Sequence, residues 1–116
     1  KVLVVPVTGR AVGDTIVGYH LVGQIESAGN AVVMDADLRK HTAAAADVAD
    51  ASVASMTQLS VTADTILSAT NTRKGNIEEV VAIDDTFYVL ITGTTLASTD
   101  IALQGVVIEV VPAPVS

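Results

Sequence analysis

The chain has 116 residues, no cysteine, a formal net charge of −7, and a 50% hydrophobic share of which little is aromatic. That length suits one domain able to bury a core without staples. The missing thiols exclude disulfides, thiolate nucleophiles and cysteine-bound zinc, and six Lys and Arg against thirteen acids oppose a nucleic-acid partner, because phosphate binding wants a basic field.

No run approaches the roughly 18–20 apolar residues of a membrane-spanning helix. A mean hydropathy of +0.55, carried by Val, Ala, Ile and Leu, points toward oligomerisation or docking on a larger assembly.

In chain order, residues 1–7 read as a strand, and Pro6, which cannot donate to a ladder, sets it at a sheet edge or strand end. The apolar run is too short, and too soon broken by Pro6, for a signal peptide. Glycines 13, 18, 23 and 29 follow among short apolar pairs. They have neither the GxGxxG order nor the GK[ST] ending of a phosphate loop, so the segment reads as bent strands with glycine at bulges. Ser27-Ala28-Gly29-Asn30 predicts a hairpin turn between 21–26 and 31–35. Asp35 and Asp37 alternate and share a strand face. Two carboxylates are a thin ligand set beside the roughly six to eight oxygens of a calcium site, so no metal is expected there. His20 and His41 form no HxxxH or HExxH spacing, and no GxSxG elbow marks a nucleophile. Neither an enzyme nor a cofactor is expected.

Residues 41–57 change composition. Alanine favours helix and Thr42 can cap one, so this stretch reads as a short Ala-rich helix or linker, hinging an N-terminal β arm (1–40) to a C-terminal module (58–116). Within the module, Leu59, Val61 and Ala63 alternate with polar residues as one strand. Residues 68–76 read as a loop bearing Arg73 and Lys74. Residues 77–83 and 86–92 read as a hairpin closed at Asp84-Asp85. Residues 101–111 are a last strand bent at Gly105. It is apolar on both faces and therefore expected to be covered on both, with a neighbouring subunit as the second cover. Pro112 and Pro114 end the ladder. The whole predicts a mainly β domain: an antiparallel β-sandwich or barrel-like body with an N-terminal β arm and one short helix or linker.

The segment ILSATNTRKGNI (66–77), followed by DDTFYVLITGTTLASTDIAL (84–103), resembles a β-sandwich module recurrent in structural proteins of tailed bacteriophages. The matching positions are Ile66, Leu67, Ala69, Asn71, Arg73, Lys74, Gly75, Ile77, Tyr88, Val89, Gly93, Ile101 and Leu103. The resemblance implies a virion protein, most like a capsid decoration (cement) protein on the outer surface of the head. Its partner would be the major capsid protein, and self-association as a homotrimer is the expected oligomer. Expected partner-binding residues are Lys1, Val2, Leu3, Val4 and Val5, as a terminal strand that can be donated to a neighbour's sheet, and Arg73 and Lys74. The last two either pair with acids on a capsid subunit or solvate a turn. The alternative is a receptor- or glycan-binding module of a tail fibre or surface protein. Its aromatic supply is thin: Tyr19, and the adjacent Phe87 and Tyr88, which on one strand point to opposite faces.

Overall fold

The computed structural model describes residues 2–43, 48–94 and 99–114. Among them, seven antiparallel strands form one sheet: β1 (Val2–Val7), β2 (Thr15–Ala43), β3 (Val48–Ser55), β4 (Leu59–Leu67), β5 (Glu79–Val80), β6 (Asp85–Thr94) and β7 (Thr99–Val111). A four-residue helix, α1 (Ala69–Thr72), follows β4. The mainly β, antiparallel expectation holds, and strands from 1–40 and from 58–116 lie in the same sheet.

The axis is β2, whose 29 residues pair with every strand except β1. Residues 23–25 bond β4 and β7 at once, residues 33–34 bond β4 and β6, and residues 37–42 bond β3 and β6. A strand has two edges, so β7 and then β6 run along one edge of β2, and β4 and then β3 along the other. Between the halves the ladder to β4 shifts register twice, between Ile25 and Ala28 and between Ala28 and Val32, and Gly29 adopts φ +95°. The sheet bends there and folds back on itself. Tyr19, in the first half of β2, donates its hydroxyl to Ala36 O (3.1 Å) in the second half and to Ala54 O (2.9 Å) in β3. Tyr19, Ile16, Leu21, Ile25, Met34, Leu38, Leu67 and Phe87 fill the enclosed core.

Three expectations are corrected. The turn-forming stretch 27–30 is a bend inside β2 rather than a hairpin, because β4 and β7 occupy the edges through which the two halves of β2 would have paired.

The Ala-rich segment is not helical where described. Residues 41–43 end β2, and 48–55 form β3 in register with it from Asp37↔Ser55 to Ala43↔Val48; residues 44–47 lie outside the described residues. Tertiary pairing overrides alanine's helix propensity here, and the hydroxyls of Ser52 and Ser55 donate to Asp37.

Residues 77–83 form only the two-residue β5, which pairs with Thr15 and Ile16 rather than with β6. A regular strand would place Glu79 on the same face as the buried Ile77 and Val81. The chain instead holds strand geometry only at Glu79–Val80, and Glu79 ion-pairs with Lys40 at 2.9 Å.

Within the chain, β7 is covered on one face. Its ladder to β2 skips Gln104 beside Gly105, which moves the inward set from Ile101 and Leu103 to Val106, Ile108 and Val110. Val107 and Val111 stay exposed.

Candidate functional site

The proline in β1 makes the open edge of the sheet readable residue by residue. In the second half of β2, Ala43 N donates to Asp84 O (3.2 Å) on the β6 side, whereas Met56 N donates to Ala36 O (3.0 Å) on the opposite side. Backbone groups alternate along a strand, so odd-numbered residues here bond toward β6 and Arg39 bonds Tyr88, its register partner. The backbone groups of Tyr88 therefore face β2. Pro6, opposite Tyr88 on β1, turns its nitrogen away from the ladder, the orientation in which a proline costs no hydrogen bond. Val2 and Val4 have the same parity and turn their N–H and C=O outward with it. Among the described residues β1 pairs with β6 alone. Its outer edge thus presents two donors and three acceptors.

That edge is apolar. Val2, Leu3 and Val4 are 68%, 46% and 52% exposed. Beside it a cleft of about 480 Å³ opens between β1 and β7, lined chiefly by Val2, Leu3, Met34, Ile91, Ile101 and Leu103. At its back β6 and β7 approach closely: a side chain at Gly93 would meet the tip of Ile101 at 2.7 Å. Of the strand expected to bind a partner, Val2–Val5 are therefore collected at one open edge, while Lys1 lies outside the described residues.

The outer face of the same half-sheet is occupied by its own polar network. Asp37, Arg39, Asp50 and Tyr88 meet across β2, β3 and β6. Arg39 pairs with Asp37 at 2.9 Å and with Asp50 at 3.4 Å, and donates to the Tyr88 hydroxyl at 3.2 Å, which in turn donates to Asp50 at 2.9 Å. The Asp37 hydrogen bond, then those of Tyr88 and Asp50, raise the pKa of Arg39; the Tyr88 hydroxyl, then Arg39, lower that of Asp50. Asp35 accepts from Gln58 at 3.2 Å. Asp35 and Asp37 share a face as expected, and both are engaged by neighbours. Among the described residues no group of three or more His, Asp or Glu is placed to hold a metal ion.

Arg73 and Lys74 have local partners. Arg73 makes a two-pronged contact with Glu109 of β7, at 2.9 and 2.8 Å, which raises the arginine's pKa and lowers the glutamate's. The main chain of Lys74 exchanges hydrogen bonds with Tyr19 (2.9 and 2.8 Å). Sequence reading missed the role of α1, whose capping box of Ser68 and Asn71 sets Thr72 into the core. The Thr72 hydroxyl accepts from Leu21 N (2.9 Å) and lies 2.7 Å from Ser68 O. The Ser-x-x-Asn spacing was the available signal. Also missed was Arg10, which stacks over Phe87 at 5.7 Å with its Nε and one terminal nitrogen buried and unpartnered among the described residues. His20 is half-buried and His41 exposed. A sugar-stacking platform would need open aromatic faces, but Tyr19 and Phe87 are fully buried and Tyr88 is half-buried in the ion-pair network.

Among the described residues no helix is long and apolar enough to cross a membrane. No family model, curated protein or solved structure matches the chain.

Proposed function

We propose that the protein is a non-catalytic structural component of a tailed-phage virion: a decoration (cement) protein that lies on the outer surface of the head and binds the major capsid protein. The observation that carries this reading is the open β1 edge. Soluble proteins normally blunt such edges with charge, bulges or cover, because an apolar edge recruits further strands. Here Val2, Leu3 and Val4 stand exposed, with Pro6 as the strand's one blunting residue. An edge of this kind suits a protein whose working state is assembled. The resemblance of 66–77 and 84–103 to phage modules gives the assembly its identity in this reading. The acidic balance of −7 suits a capsid exterior rather than the packaged DNA. The test is co-sedimentation of the chain with expanded, undecorated heads of the source phage. Saturable binding at a fixed ratio to the major capsid protein, with heads that resist heat better, is the expected result. A folded chain that does not bind such heads would overturn the reading.

A further inference from the structure

We infer that the partner seated on the β1 edge is a second copy of this chain, added antiparallel across a twofold axis through Leu3. The inference rests on the assembly reading above and names the neighbour at that edge.

The first argument is complementarity. With Leu3 on the axis, Val2 of one copy faces Val4 of the other and Val4 faces Val2. Each pair turns an N–H and a C=O toward its mate, so four hydrogen bonds close and every outward donor finds an acceptor. Shifting the axis to Val4 also closes four bonds, but it sets each Val2 carbonyl against the Pro6 ring, which has no N–H to offer and keeps water off, whereas the Leu3 axis leaves over only the Pro6 carbonyl, beyond the paired residues. Pro6 therefore favours the Leu3 register. The two Leu3 side chains then meet as a close pair on the inner side, each beside its own apolar cleft.

The second argument is charge. A chain of net charge −7 approaches a copy of itself most readily through a surface without acids. In β1 and β6 together the only charged residue is Asp85, at the far end of β6 from Val2. The nearest outer-face acids, Asp35 and Asp37, sit on β2. Five strand spacings of about 4.8 Å put the two copies' β2 strands about 24 Å apart, well beyond a screening length of about 8 Å in physiological salt.

The seam alone falls short of the roughly 800 Å² per partner of a standard interface, so the dimer is weak and concentration-dependent. A threefold ring, by contrast, would require β1 to meet a different surface of its neighbour.

The chain has no cysteine, so a single Leu3→Cys thiol reports the register directly. Non-hydrogen-bonded antiparallel partners lie with Cα atoms about 4.5 Å apart, inside the range a disulfide accepts, whereas Val5→Cys would face position 1 and find no thiol. Expected under mild oxidant is a covalent dimer from Leu3→Cys at least about tenfold faster than from Val5→Cys, following how steeply disulfide formation depends on access. Light scattering of the unmodified chain should rise with concentration from 11.8 kDa toward twice that mass. Val4→Pro removes an outward N–H without touching the β6 ladder, and should weaken association by about tenfold or more. Equal cross-linking of the two cysteine variants, a monomer mass up to about 1 mM, or a threefold mass would each overturn the inference. Head binding by a strictly monomeric chain would sink the dimer and spare the proposed function. A β1-linked dimer that ignores heads would do the reverse.

Discussion

Replacing Tyr19 by Phe tests the claim that one hydroxyl clamps the two halves of the folded sheet. The ring is fully buried, so phenylalanine keeps its packing and only the O–H is lost. That O–H lies 3.1 Å from Ala36 O and 2.9 Å from Ala54 O. Ala36 O retains the Met56 N–H, so the loss falls mainly on Ala54 O. A neutral hydrogen bond contributes about 0.5–1.5 kcal/mol net, and a carbonyl left bare in an interior costs about 1–3 kcal/mol. With one acceptor still satisfied, about 1–2 kcal/mol is expected in all. An unfolding entropy of about 2.1 cal/mol/K per residue gives about 0.24 kcal/mol/K for this length, hence a drop in Tm of about 4–8 °C by calorimetry, matched by urea titration. The pH limb is a second readout. Burial pushes the Tyr19 hydroxyl from 10.0 up to about 12. The folded state therefore holds a proton that the unfolded state releases, and stability present below pH 10 is lost as pH rises toward 12. The Phe variant should lack that component. A Tm change below about 1 °C, with an unchanged alkaline limb, would refute the clamp.

Thr72→Val leaves the buried Leu21 N–H without its 2.9 Å acceptor and should cost about 1–3 kcal/mol in denaturant titration; a neutral effect would mean that α1 does not anchor this end of β2. Gly23→Ala builds a Cβ 2.4 Å from the Ala102 carbonyl, whereas at Gly105 nothing lies within 4 Å of the added carbon. The first should therefore destabilise by about 1–3 kcal/mol or more and the second by no more than about 0.5 kcal/mol, a contrast that equal thermal shifts would contradict. Asp14 is held below its ordinary pKa by the N–H groups of Ala11 and then Ala113, Asp50 by the Tyr88 hydroxyl, and Glu109 by Arg73. Depressed folded values mean stability that is present at neutral pH and lost as pH falls through and below the carboxylate range of roughly 4. A denaturation midpoint flat across that range would exclude the mechanism.

The strands of this protein were legible where side chains alternate and illegible where partners decide. β1, β4, β6 and β7 follow from two-residue periodicity and β-branched content, and Pro6 announced its edge. The continuity of β2 did not, because Ser27-Ala28-Gly29-Asn30 has the chemistry of a turn. Only the occupation of both its edges by β4 and β7 turns that chemistry into a bend. β3 was hidden by alanine, whose local preference for helix is worth a few tenths of a kcal/mol per residue and gives way to pairing along seven positions of β2. The candidate site was half legible. The apolar run at 2–5 was visible, but its outward-facing pair, Val2 and Val4, required the parity that Pro6 and Ala43 establish together.

The loop of residues 68–76, on which the proposed phage reading partly rests, is engaged in holding its own fold. Ser68 and Asn71 cap α1, Thr72 bonds Leu21, Lys74 exchanges main-chain bonds with Tyr19, and Arg73 is taken up by Glu109. A pattern with such duties reports the architecture that needs it. A partner's carboxylate would reach Arg73 only by displacing a two-pronged contact that already exists, whereas a partner's strand would reach Val2 and Val4 by displacing water alone. Replacing Arg73 and Lys74 together by Ala should therefore leave association at the β1 edge unchanged in light scattering. Loss of association in that double variant would move the interface to the loop and refute this division of labour.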